Sequence, residues 1–174
     1  MILILIGVSG IGKTTIGKLL AARTGWRFED ADDYHSAENK QKMAAGIPLT
    51  DNARWPWLNT LHDRMSLYLT EGRSAIFACS ALKEKYRECL VEGFGDDAFR
   101  FVDLQASINI VRQRLQEREH EYMAPQLLDS QVAAFETPSR AWSVSVEGRP
   151  EEAVNKIMEH LQADGLLTAA KENQ

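Results

Sequence analysis

Basic residues are nowhere in excess in this chain: 20 lysines and arginines are interleaved with 25 aspartates and glutamates, for a net charge of −5. A nucleic acid or an anionic membrane is therefore excluded as the main partner, because either would need a continuous basic face. Cysteine is scarce as well. Cys79 and Cys89 are the only two and form no C-x-x-C pair, so reduced thiols are expected in place of a disulfide or a metal site. Long hydrophobic runs are missing too: the opening one, Met1 to Ile6, stops after six residues. It has neither a basic leader nor a small-residue cleavage site, which argues against a signal peptide or a membrane span and for a cytoplasmic protein. Finally, no Pro/Gly/Ser-rich linker, repeat or low-complexity run divides the 174 residues, of which 44% are hydrophobic. Residues 1–174 are expected to form one domain around one core.

What the chain does have is concentrated at its start. Gly7-Val8-Ser9-Gly10-Ile11-Gly12-Lys13-Thr14 fits the phosphate-loop pattern G-x-x-x-x-G-K-[ST] at every fixed position. The run before it is too continuous for a half-exposed strand and reads as one buried on both faces. After it, Ile16, Leu19 and Leu20 recur at helical spacing until Thr24-Gly25 stops the helix. In that context the glycines let the backbone curl until its N–H groups point inward, and the helix brings its positive end to the same point. The backbone of Gly7, Ser9, Gly10, Ile11, Gly12, Lys13, Thr14 and Thr15 is thus the expected nucleotide cradle. Lys13 would reach the β- and γ-phosphates, and the Thr14 hydroxyl would ligate the Mg²⁺ that accompanies ATP.

Further along, strand-like runs alternate with helical periodicity. Trp26 to Asp30 reads as a short strand that delivers Asp30, Asp32 and Asp33, then Tyr34 and His35, to the edge where an open α/β sheet holds its ligands. Lys40 and Lys42 lie in a helical stretch, and Leu58, Leu61, Met65 and Leu69 mark a longer helix ended by Gly72. Ser74 to Cys79 is another buried strand, after which Ser80 is the expected N-cap of a helix carrying Leu82, Tyr86 and Leu90, with Lys83 and Arg87 on the adjoining face. Phe99 to Leu104 is a strand leading to a helix striped by Ile108, Val111 and Leu115 and bordered by Arg114 and Arg118. Residues 119–125 have no periodicity, as befits a flap, before Leu127 to Gln131 resume helix. Trp142 to Val146 alternates as a last strand, Pro150 opens a final helix with Val154, Ile157, Met158 and Leu161 facing the core, and the tail beyond Gly165 is expected to fray.

Five strands alternating with helices, the first carrying the phosphate loop, predict a three-layer α/β domain of the P-loop NTPase kind: a five-stranded parallel sheet flanked by helices. A GTPase is disfavoured, since neither Asn39-Lys40 nor Asn155-Lys156 continues as the guanine-reading N-K-x-D. Large motor ATPases need far more chain. A small kinase fits the length, the acids after the second strand and the arginine-bearing flap.

Several blocks in order resemble a known family: Asp30-Ala31-Asp32-Asp33-Tyr34-His35, Gly46-Ile47-Pro48-Leu49-Thr50-Asp51, Arg54, Pro56-Trp57-Leu58, Cys79-Ser80-Ala81-Leu82-Lys83 and Tyr86-Arg87. They are similar to gluconokinases, the small phosphate-loop sugar-acid kinases, from Gly7 to about Pro138. The resemblance implies a nucleoside-monophosphate-kinase-like fold with a small mobile lid, about residues 119–127, and transfer of the ATP γ-phosphate to the 6-hydroxyl of D-gluconate. A sugar hydroxyl is a weak nucleophile at neutral pH, so a carboxylate must take its proton while cations stabilise the phosphoryl charge. Asp32 is the expected base, with Lys13 and Arg118 as the catalytic cations. Asp30 would order the water shell of Mg²⁺. The expected sugar-acid site comprises Asp32, His35, Lys42, Arg54, Lys83, Arg87, His120 and Gln131, the arginines offering a planar fork to the carboxylate. Arg114 and Arg118 resemble the kinase lid arginines, one on adenine and one on phosphate. Asp103 ends a strand but is assigned a structural place.

The resemblance departs in the flap. Gluconokinases carry Gly-His-Phe shortly after the lid arginine, whereas this chain has His120-Glu121-Tyr122. The sugar acid itself is left open by that difference; the sequence does not fix the oligomeric state, a homodimer included. Two readings follow: an active kinase for gluconate or another hydroxylated acid, and a nucleotide-dependent regulatory protein that has lost turnover.

Overall fold

The computed structural model describes residues 1–117 and 126–167. Its elements run β1 (Ile2–Ile6), α1 (Lys13–Thr24), β2 (Arg27–Asp30), a 3-10 turn (Ala31–Tyr34), α2 (Ala37–Ala44), α3 (Asp51–Thr70), β3 (Ala75–Ala78), α4 (Glu84–Leu90), β4 (Phe99–Gln105), α5 (Ile108–Glu117), α6 (Gln126–Ala134), β5 (Trp142–Ser145) and α7 (Pro150–Ala163). The five strands form a parallel sheet in the order β2-β3-β1-β4-β5.

Central placement of β1 explains its unbroken apolar composition. Ile2, Ile4 and Ile6 point to one face and pack with Leu58, Leu61 and Met65 of α3 and Leu90 of α4. Leu3 and Leu5 point to the other, against Ile16 and Leu20 of α1 and Val154, Ile157 and Leu161 of α7. All five are fully buried, and truncating any of them to alanine would cost about 2–5 kcal/mol. The three layers are those read from the sequence, as are the limits of α1 at Gly25 and the start of α7 at Pro150. No described helix is long and apolar enough to cross a membrane.

One close approach was not apparent from helical periodicity. A Cβ on Gly17, in the middle of α1, would lie 2.3 Å from the Phe28 ring of β2, so this glycine is what lets the helix settle on the sheet.

Two local expectations are corrected. Tyr68, not Leu69, takes the buried place in the last turns of α3, because its hydroxyl reaches the carboxylate of Glu29. Ser80 caps no helix: α4 begins only at Glu84, with Lys83 as its uncapped N-cap residue, so Leu82 lies outside the helix. The chain between β3 and α4 instead makes a strained turn. Ala81 has φ +36°, the one positive value at a non-glycine among the described residues, and the buried Arg87 guanidinium donates to its carbonyl at 2.9 Å.

Candidate active site

β1 ends at Ile6, and the loop that follows closes onto α1 through glycines with φ of +137° (Gly7), +78° (Gly10) and +111° (Gly12). At Gly10 a side chain is excluded twice over, since a Cβ would also lie 2.6 Å from Leu115 of α5. Helices α2 and α3 have their first N–H groups capped by Ser36 and Thr50. In contrast, α1 starts with no side-chain cap and no acid in its first turn. That bare positive terminus suits an anion. Lys13 Nζ folds across it and donates to the carbonyls of Gly7 (2.9 Å) and Val8 (3.0 Å). Thr15, next to Thr14, is exposed at the rim.

Thr14 Oγ1 donates to Asp30 Oδ2 at 2.8 Å, and Asp30 Oδ1 accepts the Asp32 N–H at 3.2 Å. One carboxylate thus joins the loop to the 3-10 turn that presents Asp32, whose side chain is 64% exposed. The turn is braced from below. Trp57 donates to the Ala31 carbonyl at 2.7 Å and stacks on His35 with ring centroids 4.2 Å apart. Tyr34, Arg64 and Tyr68 all donate to Glu29. His35 is buried, its Nδ1 meets no hydrogen-bond partner among the described residues, and burial, aided by Arg54 and Lys40, lowers its pKa to about 4. It is a neutral imidazole at physiological pH.

The expected cations separate into three groups. Arg54 lines the same cleft as Ser9, Lys13, Asp32 and His35, with its guanidinium over the Tyr86 ring and its buried Nε unpartnered among the described residues. Lys83 and Lys42 are directed elsewhere: Lys83 pairs with Asp51 at 3.1 Å, and Lys42 pairs with Glu38 at 2.5 Å within α2. Arg87 differs most from expectation. Its guanidinium is 1% exposed and donates to the carbonyls of Ala81, Leu82 and Glu136 and to the Glu84 carboxylate. An arginine so enclosed braces the turn after β3 and does not face the cleft.

From α6, Leu127, Ser130 and Gln131 complete the cleft wall. Arg114 crosses behind the loop, donating to the carbonyls of Ile11 (3.3 Å) and Val146 (2.6 Å), and so ties it to the segment after β5. Arg118, His120 and most of the predicted lid lie outside the described residues. A second cleft of about 560 Å³ flanks the loop from the β4 side, where buried Asp103, its carboxyl pushed up by burial, accepts from Gln105. Lys13 and Asp32 line the other cleft. Among the described residues no three His, Cys, Asp or Glu side chains are grouped to hold a metal ion.

Sequence reasoning missed the Arg87 brace, the Glu29 network and the His35 stack. Each depends on a contact between residues far apart in the chain: Arg87 with Glu136, Glu29 with Arg64 and Tyr68, His35 with Trp57.

The chain was compared with known proteins. A family model described as an AAA domain matches residues 2–138. A probable gluconokinase from Mus musculus is 41% identical, the match spanning 92% of this chain and 97% of the relative. A gluconokinase from Gluconobacter oxydans is also 41% identical, over 93% of this chain and 92% of the relative. Among solved structures, a sugar kinase from Janibacter superposes with a TM-score of 0.87 at 37% identity, covering 96% of this chain and 98% of the other.

Proposed function

The chain belongs to the gluconokinase family, and from that premise we propose that it transfers the γ-phosphate of ATP to the 6-hydroxyl of D-gluconate, giving 6-phosphogluconate and ADP. The observation that carries this reading is a single cleft in which the phosphate-loop lysine meets a carboxylate, a neutral imidazole and an arginine: Lys13, Asp32, His35 and Arg54.

Each group has a task there. The loop N–H groups and the α1 terminus hold the β-phosphate, and Lys13 turns from the Gly7 and Val8 carbonyls to the β- and γ-oxygens. Arg54 takes the gluconate carboxylate with a two-pronged guanidinium. His35, kept neutral, can donate to or accept from a sugar hydroxyl without adding charge. Asp32 accepts the proton of the 6-hydroxyl as its oxygen bonds to the γ-phosphorus; the bond from that phosphorus to the β-γ bridging oxygen breaks, and ADP leaves with the electron pair. Mg²⁺, bound with ATP, would neutralise the phosphate charge. The donors present suit a hard dication: the Thr14 hydroxyl as a direct ligand and Asp30, already bonded to it, oriented toward coordinated water.

ADP release by the purified protein, measured with ATP and Mg²⁺ across a panel of aldonates, tests the reading. Release that requires gluconate is expected. Rapid turnover with another acid and little with gluconate would move the assignment to that acid, and no acid-dependent release would leave a nucleotide-binding regulatory protein.

A further inference from the structure

Gln131 lies on α6, 122 positions from the phosphate loop in sequence, yet both polar atoms of its carboxamide close on one loop residue. Oε1 accepts the Ser9 N–H at 2.7 Å, and Nε2 is 3.0 Å from Ser9 Oγ, to which it donates. Ser9 and Lys13 are the loop residues that line the acceptor cleft, so the loop is clasped on the side where a γ-phosphate must face the acceptor.

The helix that carries this clasp is itself anchored. Just beyond α6, the Glu136 N–H donates to the Leu82 carbonyl at 2.8 Å, and the Glu136 carbonyl accepts from Arg87 at 2.8 Å. Its carboxylate accepts the Glu84 N–H at 2.6 Å. Leu127 and Ser130 of the same helix wall the cleft. A route of direct contacts therefore runs from the turn after β3, through α6, to the third residue of the phosphate loop. A carboxamide suits the last link because it is neutral and offers an acceptor and a donor side by side. A carboxylate there would add negative charge beside the phosphates.

We propose that Gln131 is a positioning residue for phosphoryl transfer, holding the Ser9 end of the phosphate loop in register with the acceptor cleft, and is not a ligand of the sugar acid. The proposal rests on the kinase reading above. The direction of the Ser9 N–H sets how the following N–H groups of the loop point, and transfer is sensitive to displacements of an ångström. Loss of the clasp then acts on turnover more than on binding of the acid.

The test is a double-mutant cycle on the full chain with Ser9→Ala, Gln131→Ala and the double variant, read as kcat, KM for gluconate, ADP affinity by calorimetry and Tm. Gln131→Ala is expected to lower kcat roughly tenfold, about what one hydrogen bond in the transition state is worth. KM for gluconate should move by less than about threefold, with ADP affinity retained. Ser9→Ala removes the hydroxyl contact and keeps the Ser9 N–H bond to Oε1, so the double variant should lose less than the product of the single losses by the share the hydroxyl contact carries. If Gln131→Ala does not fold, Gln131→Met, which keeps the aliphatic stem, replaces it in the cycle. A large rise in KM for gluconate at unchanged kcat would make Gln131 a substrate ligand and overturn the proposal, and so would a kcat of Gln131→Ala equal to that of the unaltered chain. Absence of acid-dependent turnover in the unaltered chain would instead refute the kinase reading, and this inference with it.

Discussion

The Thr14 hydroxyl donates to Asp30 Oδ2 at 2.8 Å, linking the second residue of α1 to the last residue of β2. One strand, β3, lies between β2 and β1 in the sheet, so the bond spans the sheet edge where the phosphate loop and the acidic turn meet. In the proposed reaction the hydroxyl would ligate the metal and the carboxylate would orient that ligand.

Asp30→Asn keeps the shape and removes the charge. The Mg²⁺ concentration for half-maximal activity should rise by roughly tenfold or more, as for other partners of metal ligands. A Mg²⁺ titration at fixed ATP checks this. An unchanged titration would confine Asp30 to bracing the turn.

Asp32→Asn removes the proposed base and should leave the fold and loop intact. The rate should fall by ~10² or more, with ADP affinity nearly unaltered. A collapse of nucleotide binding with little loss of rate would instead make Asp32 part of the metal site.

Arg54 and Arg87 should behave in opposite ways when changed to alanine. Arg54→Ala removes the cleft's guanidinium, so KM for gluconate should rise about 10–100-fold, the worth of a charge-assisted hydrogen bond, while KM for ATP and Tm change little. Arg87→Ala strands the buried carbonyls of Ala81, Leu82 and Glu136 and should cost about 3 kcal/mol or more, a fall in Tm of roughly 6–12 °C. Kinetics and thermal denaturation of the two variants side by side decide it; equal effects would contradict the separation of their roles.

His35 gives the stability a pH dependence. Its native pKa is near 4, against about 6.5 when unfolded, so between those values the unfolded chain binds a proton that the native imidazole does not. Stability from this group is fully present above about pH 6.5. It declines as pH falls toward 4, by about 1.4 kcal/mol for each pH unit across the window. In His35→Gln the fall between pH 6.5 and 4 should be shallower than in the unaltered chain when unfolding is followed with denaturant. Parallel curves would show that His35 titrates normally in the folded protein.

The anion cradle was legible in the sequence because its parts are local. Glycine spacing, the buried run before it and the amphipathic helix after it act within some 25 residues, where backbone sterics and helical period decide the outcome. The alternation of strands and helices gave the layers for the same reason, and Asp30 and Asp32 could be placed at the ligand edge once they ended a strand. Tertiary structure alone decided which way the arginines turned. Arg54 and Arg87 are alike in type and both sit on helices near the site, but the strained turn at Ala81 and the carbonyl of Glu136 supply buried acceptors that only a folded Arg87 can reach. His35 is neutral because Trp57, 22 positions later, is brought against its ring as α3 packs on the 3-10 turn. Gln131 meets Ser9 across 122 positions of sequence, a contact that only the folded chain brings about. Sequence periodicity reports which face of an element is buried; it carries no information about which polar partner a distant element will deliver there, and that partner decides the protonation, direction and task of each side chain in this cleft.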